Sequence, residues 1–159
     1  MSTTNETLRM KLLNALDNEL RNNSSATIMF HQSIATKLGL NPTDHKCLEV
    51  ILKNQPITAG ELAEITGLTT GTITGVINRL EGAGYAFRGN DPQDKRRVII
   101  SVNQEKAEKE IVPLFSSFGG EIHKMLSKYT DQELQLILDF IKNSNRVLLE
   151  TRERMSKRN

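Results

Sequence analysis

Apolar residues recur at helical spacing along most of the chain, and the pattern breaks once into short alternating runs. From Thr7 to about Arg21, Leu8, Leu12, Leu13, Leu16 and Leu20 share a helical face. The polar run Asn22-Asn23-Ser24-Ser25 follows, and Ile28, His31, Ile34, Ala35 and Leu38 then resume the period. This predicts one long, bent helix or two in succession, with Gly39 as a left-handed cap. Asn41-Pro42-Thr43-Asp44 has the chemistry of a helix start, a capping Asn, Pro in the first turn and an acid after it. Leu48, Ile51 and Leu52 face inward from that helix, which runs out near Pro56. Thr58 and Glu61 form a capping box for a third, short helix with Leu62, Ala63 and Ile65, closed by Gly67. Thr69 or Thr70 caps a fourth helix with a buried stripe of Ile73, Val76, Ile77 and Leu80, ending at Gly82 or Gly84.

The texture then changes. Tyr85-Ala86-Phe87-Arg88 predicts a strand, and Arg97-Val98-Ile99-Ile100-Ser101-Val102 predicts a second. Turn-forming residues fill the stretch from Gly89 to Lys95, too long for a two-residue turn, so the pair is a hairpin with an extended charged tip. After Asn103 as a cap, 105–128 is helical, with a kink at Pro113 and a weak spot at Gly119-Gly120. Thr130 and Glu133 form a second capping box before a helix that presents Leu134, Ile137, Leu138, Ile141 and Leu148. The basic tail from Arg152 is a solvated, frayed end. The fold class is mainly α with a small β-hairpin wing.

Composition narrows the function. Hydrophobic residues are 37% and charged residues 25% of the 159, a globular balance without a membrane span or an apolar leader. Aromatics are only 4% and Trp is absent, so the core is thin and oligomerisation completes the burial. Lys+Arg minus Asp+Glu is 21 − 19 = +2, so the placement of charge matters more than its sum. A lone cysteine, Cys47, fits a reducing cytoplasm and sits beside the core as a small hydrophobe. His31, His45 and His123 are far apart in sequence, so no metal site is assigned; one would have to be assembled by the fold. Nucleophile–base pairs, paired carboxylates and phosphate loops at usable spacing are lacking, so neither an enzyme nor a cofactor is expected.

Two short helices joined by Gly67-Leu68-Thr69, the second followed at once by a hairpin, describe a winged helix-turn-helix. With its apolar stripe buried, the fourth helix leaves Thr69, Thr70, Thr72, Thr74, Gly75, Asn78 and Arg79 to face a partner, with no acid before Glu81. Small residues and hydroxyls let a helix enter a major groove closely. The hairpin adds Arg88, Lys95, Arg96 and Arg97, and arginine on a narrow tip matches the negative potential of a minor groove. Asp91 and Asp94 brace the arginines and cap the turn. Arg79 either braces the wing or binds phosphate.

The run from Thr69 to Tyr85, followed by Arg88, Asp91-Pro92-Gln93-Asp94-Lys95-Arg96-Arg97 and Val98-Ile99-Ile100, resembles the MarR family of bacterial transcription regulators. The resemblance extends over nearly the whole chain. It implies a homodimer interlocked through helical regions 1–40 and 104–159, with the winged domain 41–103 of each protomer on one half-site of double-stranded DNA. It also implies that Arg96 enters the minor groove and that Asp94 orients it. Many relatives carry a large basic residue where this chain has Gly75. The expected activity is repression from an inverted-repeat operator, relieved by a small aromatic or anionic effector bound near Phe30, His31 and Ile34. The alternatives are a winged-helix module that binds protein, and a metal- or redox-sensing regulator.

Overall fold

The computed structural model describes residues 2–156, and side chains from 7 to 155. Its elements, in order, are α1 (Ser2–Lys37), α2 (Pro42–Asn54), α3 (Ala59–Thr66), α4 (Thr70–Gly82), β1 (Ala86–Asn90) and β2 (Val98–Val102). Then come α5 (Gln104–Lys106), a π-helical turn (Ala107–Ile111), α6 (Val112–Leu126) and α7 (Asp131–Ser156). The chain divides into two compact units, Met1–Leu114 and Phe115–Asn159. Among the described residues no helix is long and apolar enough to cross a membrane.

Helix boundaries follow side-chain chemistry. Asn41 accepts the Asp44 N–H at 2.8 Å and starts α2 with Pro42 in the first turn. Thr58 and Glu61 form the reciprocal capping box of α3, and Thr69 caps α4 by accepting the Thr72 N–H at 3.2 Å. Gly39, Gly67 and Gly84 have φ of 67°, 72° and 76°, the left-handed region that side chains resist, so each ends its helix sharply. Asn22 to Ser25 do not interrupt α1, which runs unbroken for 36 residues. Thr27 and Ser33 donate their hydroxyls to carbonyls one turn back at 2.8 and 2.9 Å, keeping these polar groups satisfied without leaving the helix.

Strand β1 begins one residue later than the sequence pattern predicts and extends to Asn90. Tyr85 is the reason. Its ring is buried ahead of the strand, and its hydroxyl donates to the Glu110 carboxylate at 2.7 Å, with the Leu38 carbonyl 3.3 Å away. Strands β1 and β2 pair antiparallel with Ala86 opposite Val102 and Asn90 opposite Val98. Ile57 adds a one-residue bridge to Ile100, through bonds of 3.1 and 2.7 Å, which strand periodicity cannot reveal. The helix expected over 105–128 contains a π turn. Pro113 lacks an amide hydrogen and its ring crowds the preceding turn, and the wider turn lies directly ahead of it.

The first unit has a real core. Ile73, Val76, Ile77 and Leu80 of α4 are at most 1% exposed, and Leu48 and Ile51 of α2, Leu62 of α3 and Ile100 of β2 are buried with them in the same unit. Full burial of such a side chain is worth about 1.5–3 kcal/mol, enough to fix α4 on the domain. In the second unit, by contrast, no described side chain is buried.

Two buried acids make the core sensitive to alkali. Burial, then the Asp44 carboxylate, pushes the Cys47 thiol up to about 11 from 9.0. Burial, then the hydrogen bond to Glu110, pushes the Tyr85 phenol up to about 12 from 10.0. The folded chain therefore holds protons that the unfolded chain has released, and stability falls as pH rises above 9. Each group removes on the order of 2–3 kcal/mol once pH passes its folded value. Urea midpoints measured from pH 8 to 11.5 should fall, less so from pH 9 upward in Cys47→Ala. An unchanged slope in that variant would refute the assignment.

Candidate nucleic-acid interface

The exposed side of α4 carries Thr70, Gly71, Thr72, Thr74, Asn78 and Arg79, with Gly75 half-buried. Opposite them lies the buried stripe, so the core itself aims this face outward. The hydroxyls are ordered: Thr69 and Thr72 oxygens lie 2.9 Å apart, and Thr74 donates to the Thr70 carbonyl at 3.0 Å. Their lone pairs remain accessible, and unfilled N–H groups of the first turn give this end of α4 a partial positive charge. Acid first enters at Glu81.

The basic candidates separate into two groups. Arg79 donates from Nε and Nη2 to the two oxygens of Asp44, at 2.8 and 2.7 Å. It therefore clasps α4 to α2 and not to the wing. Arg88 is held by the Glu81 carboxylate and donates to Asn78 Oδ1 at 2.8 Å, so α4 and β1 are tied by residues expected to be free for a partner. Arg97 donates to Glu61 at 2.6 Å and lies 3.8 Å from Asp91, which ties the wing to α3. Lys95 and Arg96 differ: both are exposed, and among the described residues neither side chain has an ion-pair partner.

The tip that presents them is built by aspartates. Asp91 accepts the Gln93 N–H at 2.8 Å, and Asp94 accepts the Arg96 N–H at 3.0 Å. The Arg97 N–H donates to the Asp94 carbonyl and the Asp91 N–H to the Arg97 carbonyl, both at 2.9 Å. Asp94 thus places Arg96 through its backbone rather than through its guanidinium. This is how acids and an exposed arginine coexist on one loop: the acids are consumed by the turn.

Gly75 has a steric role. A Cβ there would meet Arg79 Nη1 at 3.3 Å, so the missing side chain clears the path of the guanidinium toward Asp44. The Asp44–Arg79 clasp was hidden in the sequence because Asp44 already had a reason to be there, as the acid of a first helical turn. Only the fold brings residues 35 positions apart together.

The residues expected near an effector divide as well. Ile34 is core, at 4% exposure, whereas Phe30 and His31 are half-buried with their rings edge-on at 5.5 Å. The His31 ring lies 5.7 Å from that of His45, and its Nδ1 is 3.0 Å from Glu49 Oε1. Burial lowers the pKa of His45 against the opposing pull of Glu49. Cys47 is fully buried with a raised pKa, the opposite of what a redox-sensing thiolate needs.

Comparison with known proteins agrees with this geometry. The model of the MarR family matches residues 38–97. The uncharacterized HTH-type transcriptional regulator YcgE of Bacillus subtilis (strain 168) is 39% identical over 155 residues, covering 98% of this chain and 99% of its own. A transcriptional regulator from Thermotoga maritima superimposes with a TM-score of 0.59 at 25% identity, over 87% of this chain and 96% of its own. A MepR variant from S. aureus bound to an oligodeoxyribonucleotide shares the fold, with a TM-score of 0.56 at 17% identity over 84% and 97% of the two chains. A winged helix-turn-helix matched along almost its whole length by the 39% identical YcgE has one assignment: the chain belongs to the MarR family of DNA-binding transcriptional regulators, which are not enzymes.

Proposed function

We propose that the chain is a homodimeric cytoplasmic repressor that binds an inverted-repeat operator, inserting α4 in the major groove and the wing tip in the minor groove. The observation that carries this reading is the sorting of the cations. Arg79, Arg88 and Arg97 are spent on holding α4 and the wing in place, while Lys95 and Arg96 project from a tip whose acids are tied to backbone. A surface built this way is rigid beneath and cationic at its end, as phosphate and minor-groove contacts require.

In this reading regions 1–40 and 104–159 form the dimer and 41–103 meets DNA. Two-fold symmetry then demands half-sites about one helical turn, roughly 10 bp, apart. A small aromatic or anionic effector near Phe30 and His31 releases the operator only insofar as it binds the DNA-incompetent spacing better. The DNA in the MepR variant complex supports the same use of the fold here.

The test is operator affinity against salt for the wild type and Arg96→Ala. The substitution should cost about 1–3 kcal/mol of operator binding and lower the salt slope by about one unit. Circular dichroism should be unchanged, because the tip is exposed. Equal affinities and equal slopes would remove the wing from the interface. Binding insensitive to salt would favour a protein partner instead.

A further inference from the structure

We propose that His31, His45 and Glu49 form a binding site for one divalent transition-metal ion of the zinc class. Each offers one ligand atom, and the three atoms lie within 4.8 Å of one another. Zinc binds imidazole nitrogen and carboxylate oxygen at about 2.0–2.2 Å, so ligands on one ion sit roughly 3.3–3.5 Å apart. His31 Nδ1 and Glu49 Oε1, 3.0 Å apart, need open by only a few tenths of an ångström, and the wider separations, up to 4.8 Å, close by on the order of 1 Å of side-chain rotation.

The arrangement has the marks of a built site. His45 and Glu49 are one helical turn apart on α2, so their side chains leave the same face. His31 comes from α1, so the ligand set bridges two elements, and an ion would pin one to the other. His45 is 3% exposed, and burial favours its neutral form, the form that ligates a metal. Lys46 Nζ lies 3.1 Å from the second oxygen of Glu49, fixing the carboxylate from outside and leaving Oε1 toward His31. Two imidazoles and one carboxylate select a borderline ion such as zinc over calcium or magnesium, which prefer oxygen alone. Three protein ligands leave one tetrahedral position for water.

Cys47 is excluded from the set. Its thiol is fully buried in the core with a raised pKa, and it offers no thiolate. Asp44 is excluded too, because Arg79 and Asn41 occupy both its oxygens. Asp44 nevertheless adjoins His45 in sequence, which sets the ion one residue from the clasp on α4.

The experiment titrates the full-length protein with Zn²⁺ alone, against a chromophoric chelator, with no DNA present. Failure here therefore leaves the DNA reading untouched. One ion per chain should bind, and His31→Gln and Glu49→Gln should each weaken binding at least tenfold. Both positions are half-buried, so these variants should melt like the wild type without metal; His45→Ala, at a buried position, is not needed. Zn²⁺ should raise the melting temperature of the wild type only. Co²⁺ should give the visible bands of a four-coordinate site without a sulfur charge-transfer band. No binding, unchanged affinity in both variants, a sulfur band from Cys47, or loss of binding in His123→Gln instead would each overturn the site.

Discussion

Glutamate at both Leu138 and Ile141 should convert the proposed dimer to monomers or insoluble material, and operator binding should be lost with it. No described side chain in 115–155 is buried, yet α7 carries Leu138, Phe140, Ile141, Val147, Leu148 and Leu149 at 42–69% exposure. The apolar side chains of this 26-residue helix call for a cover, because most helical stability in proteins comes from packing an apolar face. The stripe is also double. Leu134, Ile137, Leu138, Ile141 and Leu148 follow one face, while Leu136, Phe140 and Val147 recur at helical spacing on another. Helix α1 adds Leu8, Leu12, Leu13, Leu16 and Leu20, each at least 41% exposed. Covering a leucine fully is worth about 1.5–3 kcal/mol, so a two-fold interface that covers these stripes outweighs the entropy of association. Two glutamates per chain remove four apolar contacts from a dimer and require four carboxylates to be buried or the interface to open. Sedimentation at micromolar concentration reads the outcome directly. A soluble, folded wild-type monomer there would refute the proposal for both terminal regions.

Much of this architecture is legible in sequence because it rests on local chemistry. The caps at Asn41, Thr58, Thr69 and Thr130 each satisfy an N–H within three residues, so their meaning needs no tertiary knowledge. Gly39 and Gly67 are legible for the same reason. The buried stripe of α4 follows from the helical period, and the face it leaves outward follows from the stripe. What local chemistry misses is long-range. Asn22 to Ser25 look like a break, but polar residues on an exposed helix face carry no penalty that ends it. Arg88 and Arg97 look like free cations until Glu81 and Glu61 come beside them. The His45–Glu49 spacing is visible as one helical turn, yet it gains meaning only when α1 sets His31 against it.

Arg79→Ala should destabilise the protein more than Asp44→Asn, although the two residues form one ion pair. The asymmetry lies in burial. The Asp44 side chain is 3% exposed and that of Arg79 is 53% exposed. Without Arg79, a buried carboxylate keeps only the Asn41 side-chain amide, which donates to Oδ2 at 2.7 Å. Without the Asp44 charge, the guanidinium simply turns into water. The double variant should therefore be about as stable as Asp44→Asn alone, because the stranded carboxylate is absent from both. Operator binding separates the two roles open to Arg79. As a clasp between α2 and α4, it sets the angle at which Thr70 and Thr74 approach the groove, so both single variants should weaken binding with the salt slope of the wild type. As a phosphate ligand, it would release a counterion of its own, and Arg79→Ala alone would lower the slope by about one unit. Bidentate bonds of 2.8 and 2.7 Å to Asp44 favour the clasp. Melting curves for the four proteins, with operator affinity measured across a salt series, decide it. A reduced slope in Arg79→Ala, with Asp44→Asn unchanged, would move this arginine to the DNA.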